Sequence, residues 1–394
     1  MNPAEALLAC IIGIFLGTFS GLSPGIHINT ISFTLLLIPF SNNLFFVLII
    51  AAMSITHSFV DFVPSILLGA PKSETSEAIL PGHKLLMQGK GFYGVKLATM
   101  GCLLGLVAAL AIIPFLAFAI ARNLELIKAS IPFVLIAALF LMLFSERDIS
   151  GIFWSAVVIS FSAILGILSF SSFSDSILPL TTGFFAGSSL IYSLSKESIP
   201  KMQKLSEDSY EKAQLKNSFI GAIAGSFVSI FPALGPSNAY MLTSKIFGRI
   251  KGESYLVIHG SINVSSMLFS FVTLYLISKA RTGSAVAISN IVSIDLNSLL
   301  IILAACLFSG AIAFFIADFS ARFFLDKLAA INYSLLNSFT LLFLIALVFF
   351  LCGFTGILLF LAASSIGLIA NSSSTRRSNA MAFLIAPALV YYLI

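Results

Sequence analysis

The sequence predicts an all-α polytopic membrane protein: two inverted-topology repeats of about seven membrane segments each, with broken or re-entrant helices. Three observations predict it. The 394-residue chain is 59% hydrophobic and 9% charged, whereas a soluble domain carries roughly 25% charged residues. With so little polar surface, the bilayer is its solvent. The chain also repeats itself. GIFLGTFSGLSPG from 13 aligns with GAIAGSFVSIFPALG from 221, pairing Gly13 with Gly221, Gly17 with Gly225, Phe19 with Phe227 and Pro24 with Pro232. KSETSEA at 72–78 recurs as KARTGSA at 279–285. The third observation is the distribution of basic residues, taken up below.

In order, the first half (1–195) carries apolar segments at about 5–23, 28–40, 44–69, 94–118, 131–146, 150–170 and 181–195. The opening MNPAEALLACIIGIFLG has no basic n-region and an acid at Glu5, so it reads as a first span and not a cleaved signal peptide. The polar stretch 196–217 is the linker. The second half (218–394) follows with 218–233, 236–248, 254–278, 284–316 (one span with an irregular start), 336–353, 355–371 and 379–394. Segments 28–40 and 236–248 fall short of the ~20 residues that cross a bilayer as a helix. Each reads as half of a broken helix. The four cysteines stand apart in apolar runs and form no metal or disulfide pattern.

If all seven segments of each half cross, one side collects 17 of the 21 Lys and Arg residues. The other side holds only Arg122, Lys128, Lys279 and Arg281. If the short second segments do not cross, the division is 12 to 9. The positive-inside rule selects the lopsided arrangement. An odd number of crossings inverts the repeats, with both termini outside and the linker in the cytoplasm. Basic residues in short loops also account for the net charge of +5 without any nucleic-acid partner.

Interrupted apolar segments at corresponding places in two halves point to a transporter binding site. Ser23-Pro24-Gly25 and Pro232 through Gly235 to Ser237 and Asn238 are either plain helix breaks or a site whose freed backbone groups are satisfied by ion or solute. Asn29, Thr30 and Asn238 offer neutral oxygens for a coupling ion. The second pair is Lys72-Ser73 with Thr75, and Lys279 with Arg281, Thr282 and Ser284. It is either a solvated loop or an anion site, for which Arg supplies a bidentate fork and Lys a point charge. His57 and Asp61 stand one helical turn apart in an apolar run. They are either a structural hydrogen-bonded pair or a proton relay. Asn263 is either a helix-packing amide or a solute contact.

With these residues in view, GLSPG, PSILLGAP and ILPGHKLLMQGKG in the first half, and IGAIAGSFVSIFPALGPSNAY and GSINVSSMLFSFVTLYLISKARTGSAVAI in the second, resemble the large membrane subunit of tripartite tricarboxylate transporters, the TctA-like permeases. The resemblance covers nearly the whole chain. It implies a secondary transporter with two inverted repeats, a small anionic solute, and as partners a small membrane subunit and an extracytoplasmic binding protein. This chain departs from the family pattern with Pro232-Ala233 for the second Pro-Gly, and with Pro71-Lys72 and Pro81-Gly82 in the first half.

The resulting expectation is secondary active transport of a carboxylate-type anion across the cell membrane, coupled to sodium or protons and without a cofactor. A flippase for an anionic lipid head group is the alternative. An intramembrane enzyme is disfavoured because no His-Glu-x-x-His or Gly-x-Ser-x-Gly occurs and the four histidines are scattered.

Overall fold

Helix α1 (Pro3–Leu22) starts on a capping box: Asn2 accepts from the Ala4 N–H, and Glu5 accepts from the Asn2 N–H. Pro3 occupies the first turn, where its missing N–H costs nothing. The computed structural model describes residues 1–23, 26, 28–36, 43–67, 75, 79–146, 148–173, 176–195, 213–246, 253–278, 280–328 and 333–393. The elements that follow are α2 (Ile28–Leu35), α3 (Asn43–Val60), α4 (Phe62–Leu67), α5 (Ile79–Met87), α6 (Gly91–Arg122), α7 (Leu124–Leu143) and α8 (Ile149–Ser172). The first half closes with α9 (Ile177–Thr181), a π-helical turn (Thr182–Gly187) and α10 (Ser188–Leu194). The second half contains α11 (Ala213–Val228), α12 (Pro236–Ile246), α13 (Glu253–Ile277), α14 (Gly283–Ile291), α15 (Leu296–Leu328) and α16 (Tyr333–Ser372). A 3₁₀ turn (Arg377–Met381) and α17 (Ala382–Leu393) complete it. Nine helical stretches are long and apolar enough to cross a membrane among the described residues.

The core lies around α3 and α13, whose residues from Val47 and from Leu256 onward are almost wholly buried. Long side chains on α6, α7, α8 and α16 face outward instead, including Phe115, Phe133, Phe153 and Phe350. Such a surface suits hydrocarbon and not water.

Glycines set which helices touch and in which direction. On α1, Gly13 lies against Ile49 and Ala52, Gly17 against Met53 and Thr56, and Gly21 against Val60. Both numbers rise together, so α1 and α3 are parallel neighbours. Gly221 against Ile258 and Ser261, and Gly225 against Ile262 and Ser265, make α11 and α13 parallel in the same way. In each half the chain must therefore return between the two parallel helices, through α2 in the first and α12 in the second. Helices α3 and α13 run antiparallel: Asn263 Nδ2 donates to the Ser58 carbonyl at 3.0 Å, while Phe62 meets His259 edge-on at 5.9 Å. Helix α6, with Gly101 against Val257 and Gly105 against Ser261, is parallel to α13. Thus α3, α6 and α13 interlock across the two halves. Small residues permit this closeness where packing, not water exclusion, drives helix association.

The structure departs from the expected segments in two places. The run 284–316 is not one span: the chain extends at Val292 (φ −153°, ψ 146°), and Asp295 accepts from the Ser298 N–H at 2.8 Å to start α15 afresh. The expected run 44–69 appears as one span, Asn43–Leu67, with hydrogen bonds from Asp61 N–H to the His57 carbonyl and from Ser65 N–H to the Asp61 carbonyl carrying it from α3 into α4. The segments 336–353 and 355–371 abut within α16, separated only by the non-helical Gly353 (φ 65°, ψ −159°), a conformation that glycine adopts without strain. The linker 196–212 lies outside the described residues, and α11 begins at Ala213.

Candidate functional site

The first break begins at Ser23, which leaves α1 in an extended conformation suited to the residue before a proline (φ −87°, ψ 111°). Pro24 and Gly25 lie outside the described residues, as do Lys72, Ser73 and Lys279. Beyond the break, Asn29 on α2 sits so close to Gly283 at the start of α14 that a Cβ there would collide with the Asn29 amide. Thr30 also belongs to α2, but its side chain is outside the description. Next in α14, Ser284 Oγ lies 2.8 Å from Ser54 Oγ on α3 and 3.5 Å from Ser32 Oγ on α2, all three fully buried. Thr282 caps α14 by accepting from the Ala285 N–H at 3.2 Å, and its hydroxyl is 3.1 Å from Ser270 on α13. The start of α14 in the second half therefore meets α2 and α3 of the first through hydroxyls and an amide.

The second break has a different chemistry. After α11 the chain turns through Pro232 to Gly235, with Ala233 in the left-handed region (φ 60°). Gly235 abuts Met381 of the 3₁₀ turn. Ser237 and Asn238 open α12, both buried. Neither Asn238 Oδ1 nor Nδ2 has a hydrogen-bond partner among the described residues. An unsatisfied buried polar group costs roughly 1–3 kcal/mol, which sets this amide apart from the paired hydroxyls of the first junction.

A third cluster occupies the crossing of α1, α3, α6 and α13. His57 Nδ1 is 2.8 Å from Ser20 Oγ. Asp61 forms the turn after α3, and its carbonyl accepts from the Ser65 N–H and hydroxyl at 3.3 and 2.7 Å. Thr75, buried, is 2.8 Å from that same Ser65 hydroxyl. The Ser58 carbonyl takes Asn263 Nδ2 and lies 3.7 Å from Cys102 Sγ. Arg281 stands apart from this cluster: one guanidinium nitrogen is 3.4 Å from the Tyr392 hydroxyl, and its buried Nε has no partner among the described residues.

Asn29, Thr282 and Ser284 are thus brought together from opposite halves, while Thr75 joins Asp61 through Ser65. Sequence reasoning missed Ser20, Ser32 and Ser54. The four-residue spacing of Ser54 and Ser58, one face of one helix, was the available signal. No group of three or more His, Cys, Asp or Glu that could hold a metal occurs among the described residues.

The family model of the tripartite tricarboxylate transporter TctA family matches residues 7–382, a range that takes in both breaks and the start of α14 at 282–284. The chain belongs to the tripartite tricarboxylate transporter TctA family. Among curated proteins it is similar to the uncharacterized protein MJ1079 of Methanocaldococcus jannaschii. The two are 32% identical over 401 residues, covering 98% of this chain and 99% of that protein. No solved structure matches it. Membership in the TctA family makes this a multi-pass membrane protein of transport, and the polar junctions lie inside the matched range.

Proposed function

We propose that the protein is a secondary active transporter for a small carboxylate-type anion, working by ion-coupled alternating access between two inverted repeats, 1–195 and 218–394. The observation that carries this reading is the junction of Asn29, Ser32, Ser54 and Ser284, where the start of α14 in the second half meets α2 and α3 of the first. The antiparallel course of α3 and α13, each parallel to its own first helix, supports inversion. Buried hydroxyls at helix interruptions suit a path that opens and closes, because each can exchange its protein partner for solute or water as the junction parts.

In this reading the breaks at Pro24-Gly25 and Pro232–Pro236 converge near the bilayer midplane, with 72–75 and 279–284 leading to them. The orphaned Asn238 amide and the Asn29 and Thr30 region bind the coupling ion, with sodium favoured by neutral oxygens. Arg281 and Lys279 attract the anion, and Ser23, Thr282 and Asn263 line its way. The linker lies in the cytoplasm and both termini outside. A small membrane subunit and an extracytoplasmic binding protein complete the system.

Purified protein in liposomes tests the reading. Labelled citrate or succinate should accumulate when a sodium gradient is imposed. Uptake that ignores sodium and follows a pH gradient would transfer coupling to His57 and Asp61. Scrambling of a labelled anionic lipid without uptake of any carboxylate would overturn the reading in favour of a flippase. Arg281→Ala should weaken solute affinity about tenfold, the order expected for one charge-assisted hydrogen bond.

A further inference from the structure

The turn between α16 and α17 reads Arg376-Arg377-Ser378-Asn379, and its hydrogen bonds show a specific construction. The Arg376 N–H donates to Glu146 Oε1 at 3.0 Å, and Ser155, 3.4 Å away, donates to the same oxygen. Asn379 Nδ2 donates to Ser155 Oγ at 2.7 Å. Arg377 Nε donates to Asn371 Oδ1 at 2.7 Å, and the Asn371 amide reaches Ser188 at 3.3 Å. One edge of the turn is therefore held rigidly by α8, α10, α16 and the turn after α7.

The other edge presents unsatisfied groups. One terminal guanidinium nitrogen of Arg376 and Asn379 Oδ1 are buried without a hydrogen-bond partner among the described residues. The Glu146 carboxylate is taken by the Arg376 backbone and by Ser155, and no ion pair of the Arg376 side chain occurs among the described residues. Met381, at the end of the same turn, lies against Gly235 in the second break. The turn thus borders the break that carries Asn238. A partly buried guanidinium, on a turn whose backbone is fixed and with a buried nitrogen that makes no hydrogen bond among the described residues, is arranged for an incoming oxyanion, which supplies both charge and acceptors.

We propose that the Arg376–Asn379 turn binds the carboxylate group of the transported solute beside the second break. The inference rests on the transport reading and adds to it a recognition site from residues the repeat does not duplicate. A phosphate oxyanion from a lipid head group has the same chemistry, so the test separates the two sources.

Full-length protein in detergent is titrated calorimetrically with citrate, succinate and inorganic phosphate, and protein in nanodiscs is compared with and without phosphatidylglycerol. Arg376→Gln should raise the carboxylate Kd about tenfold or more. Arg376→Lys, which keeps the charge but not the fork, should fall between it and wild type. Unchanged gel-filtration profiles and melting show that the variants fold. Wild-type uptake of carboxylate combined with wild-type affinity in both Arg376 variants would overturn this site and leave transport standing. Binding that requires phosphatidylglycerol and ignores the carboxylates would overturn the solute assignment. A wild type that neither binds nor transports any carboxylate would overturn both readings.

Discussion

Substituting Gly260 by alanine probes the interlock between the halves directly. A methyl group at 260 would collide with the Ala98 carbonyl oxygen and come within 3.1 Å of the Cys102 nitrogen, both backbone atoms of α6. Neither can rotate away as a side chain would, so α6 and α13 must separate. Gly101 and Gly105 make reciprocal contacts with Val257 and Ser261, which means the separation disturbs the whole seam. Overpacking in a well-packed interior costs about 1–3 kcal/mol. Backbone on the far side places Gly260→Ala near the upper end, about a hundredfold in the folding equilibrium at 3 kcal/mol. Gly94→Ala is the matched control: its nearest neighbours are side-chain carbons of Leu85, Ile66 and Leu256 at 3.4, 3.6 and 3.7 Å, an ordinary contact distance. The assay is survival of the monodisperse gel-filtration peak after heating detergent-purified protein through a temperature series. Gly260→Ala should be lost at clearly lower temperature than wild type, and Gly94→Ala should not. A Gly260→Ala protein that melts with wild type would refute the claim that backbone contact between α6 and α13 joins the halves.

Three further outcomes are expected. Ser284→Ala removes the hydroxyl between Ser54 and Ser32; uptake in liposomes should drop severalfold while expression and melting change little, and unaltered uptake would detach the junction from transport. Asn238→Leu should leave stability equal or improved, because the amide has no partner to lose among the described residues, yet uptake should lose its ion dependence; a strongly destabilised but still ion-dependent protein would make the amide structural. On a Cys352→Ser background, Asn2→Cys should react with an impermeant maleimide in intact cells and Ser206→Cys only after lysis. Labelling of both from the same side would disprove the proposed topology, and the remaining cysteines, Cys10, Cys102 and Cys306, are buried.

Much of the element order was legible because apolar run length and Gly-Pro punctuation are local properties. Segments 254–278 and 150–170 appear as α13 (Glu253–Ile277) and α8 (Ile149–Ser172). The 284–316 run was misjudged for an equally local reason: four residues, Val292 to Asp295, separate two helices, too few to lower the apolar signal of a span-length window. Of the candidate site, Asn29, Thr282 and Ser284 were visible through the repeat. Ser20, Ser32 and Ser54 were not, since serine packs in membrane helices whether or not it lines a path.

By itself the sequence determined the solvent, the class and the offset at which its glycine-proline motif recurs. Composition decides whether lipid or water must surround a chain, and matching breaks declare their own offset. Only the tertiary structure decided that α1 and α3 run parallel, that Ser284 meets Ser54 across 230 residues, and that Arg376 and Asn379 retain buried atoms without partners among the described residues. Helix direction and hydrogen-bond satisfaction depend on which surfaces come within a few ångströms. In a chain of near-uniform hydrophobicity, that choice rests on where glycine lets two backbones approach.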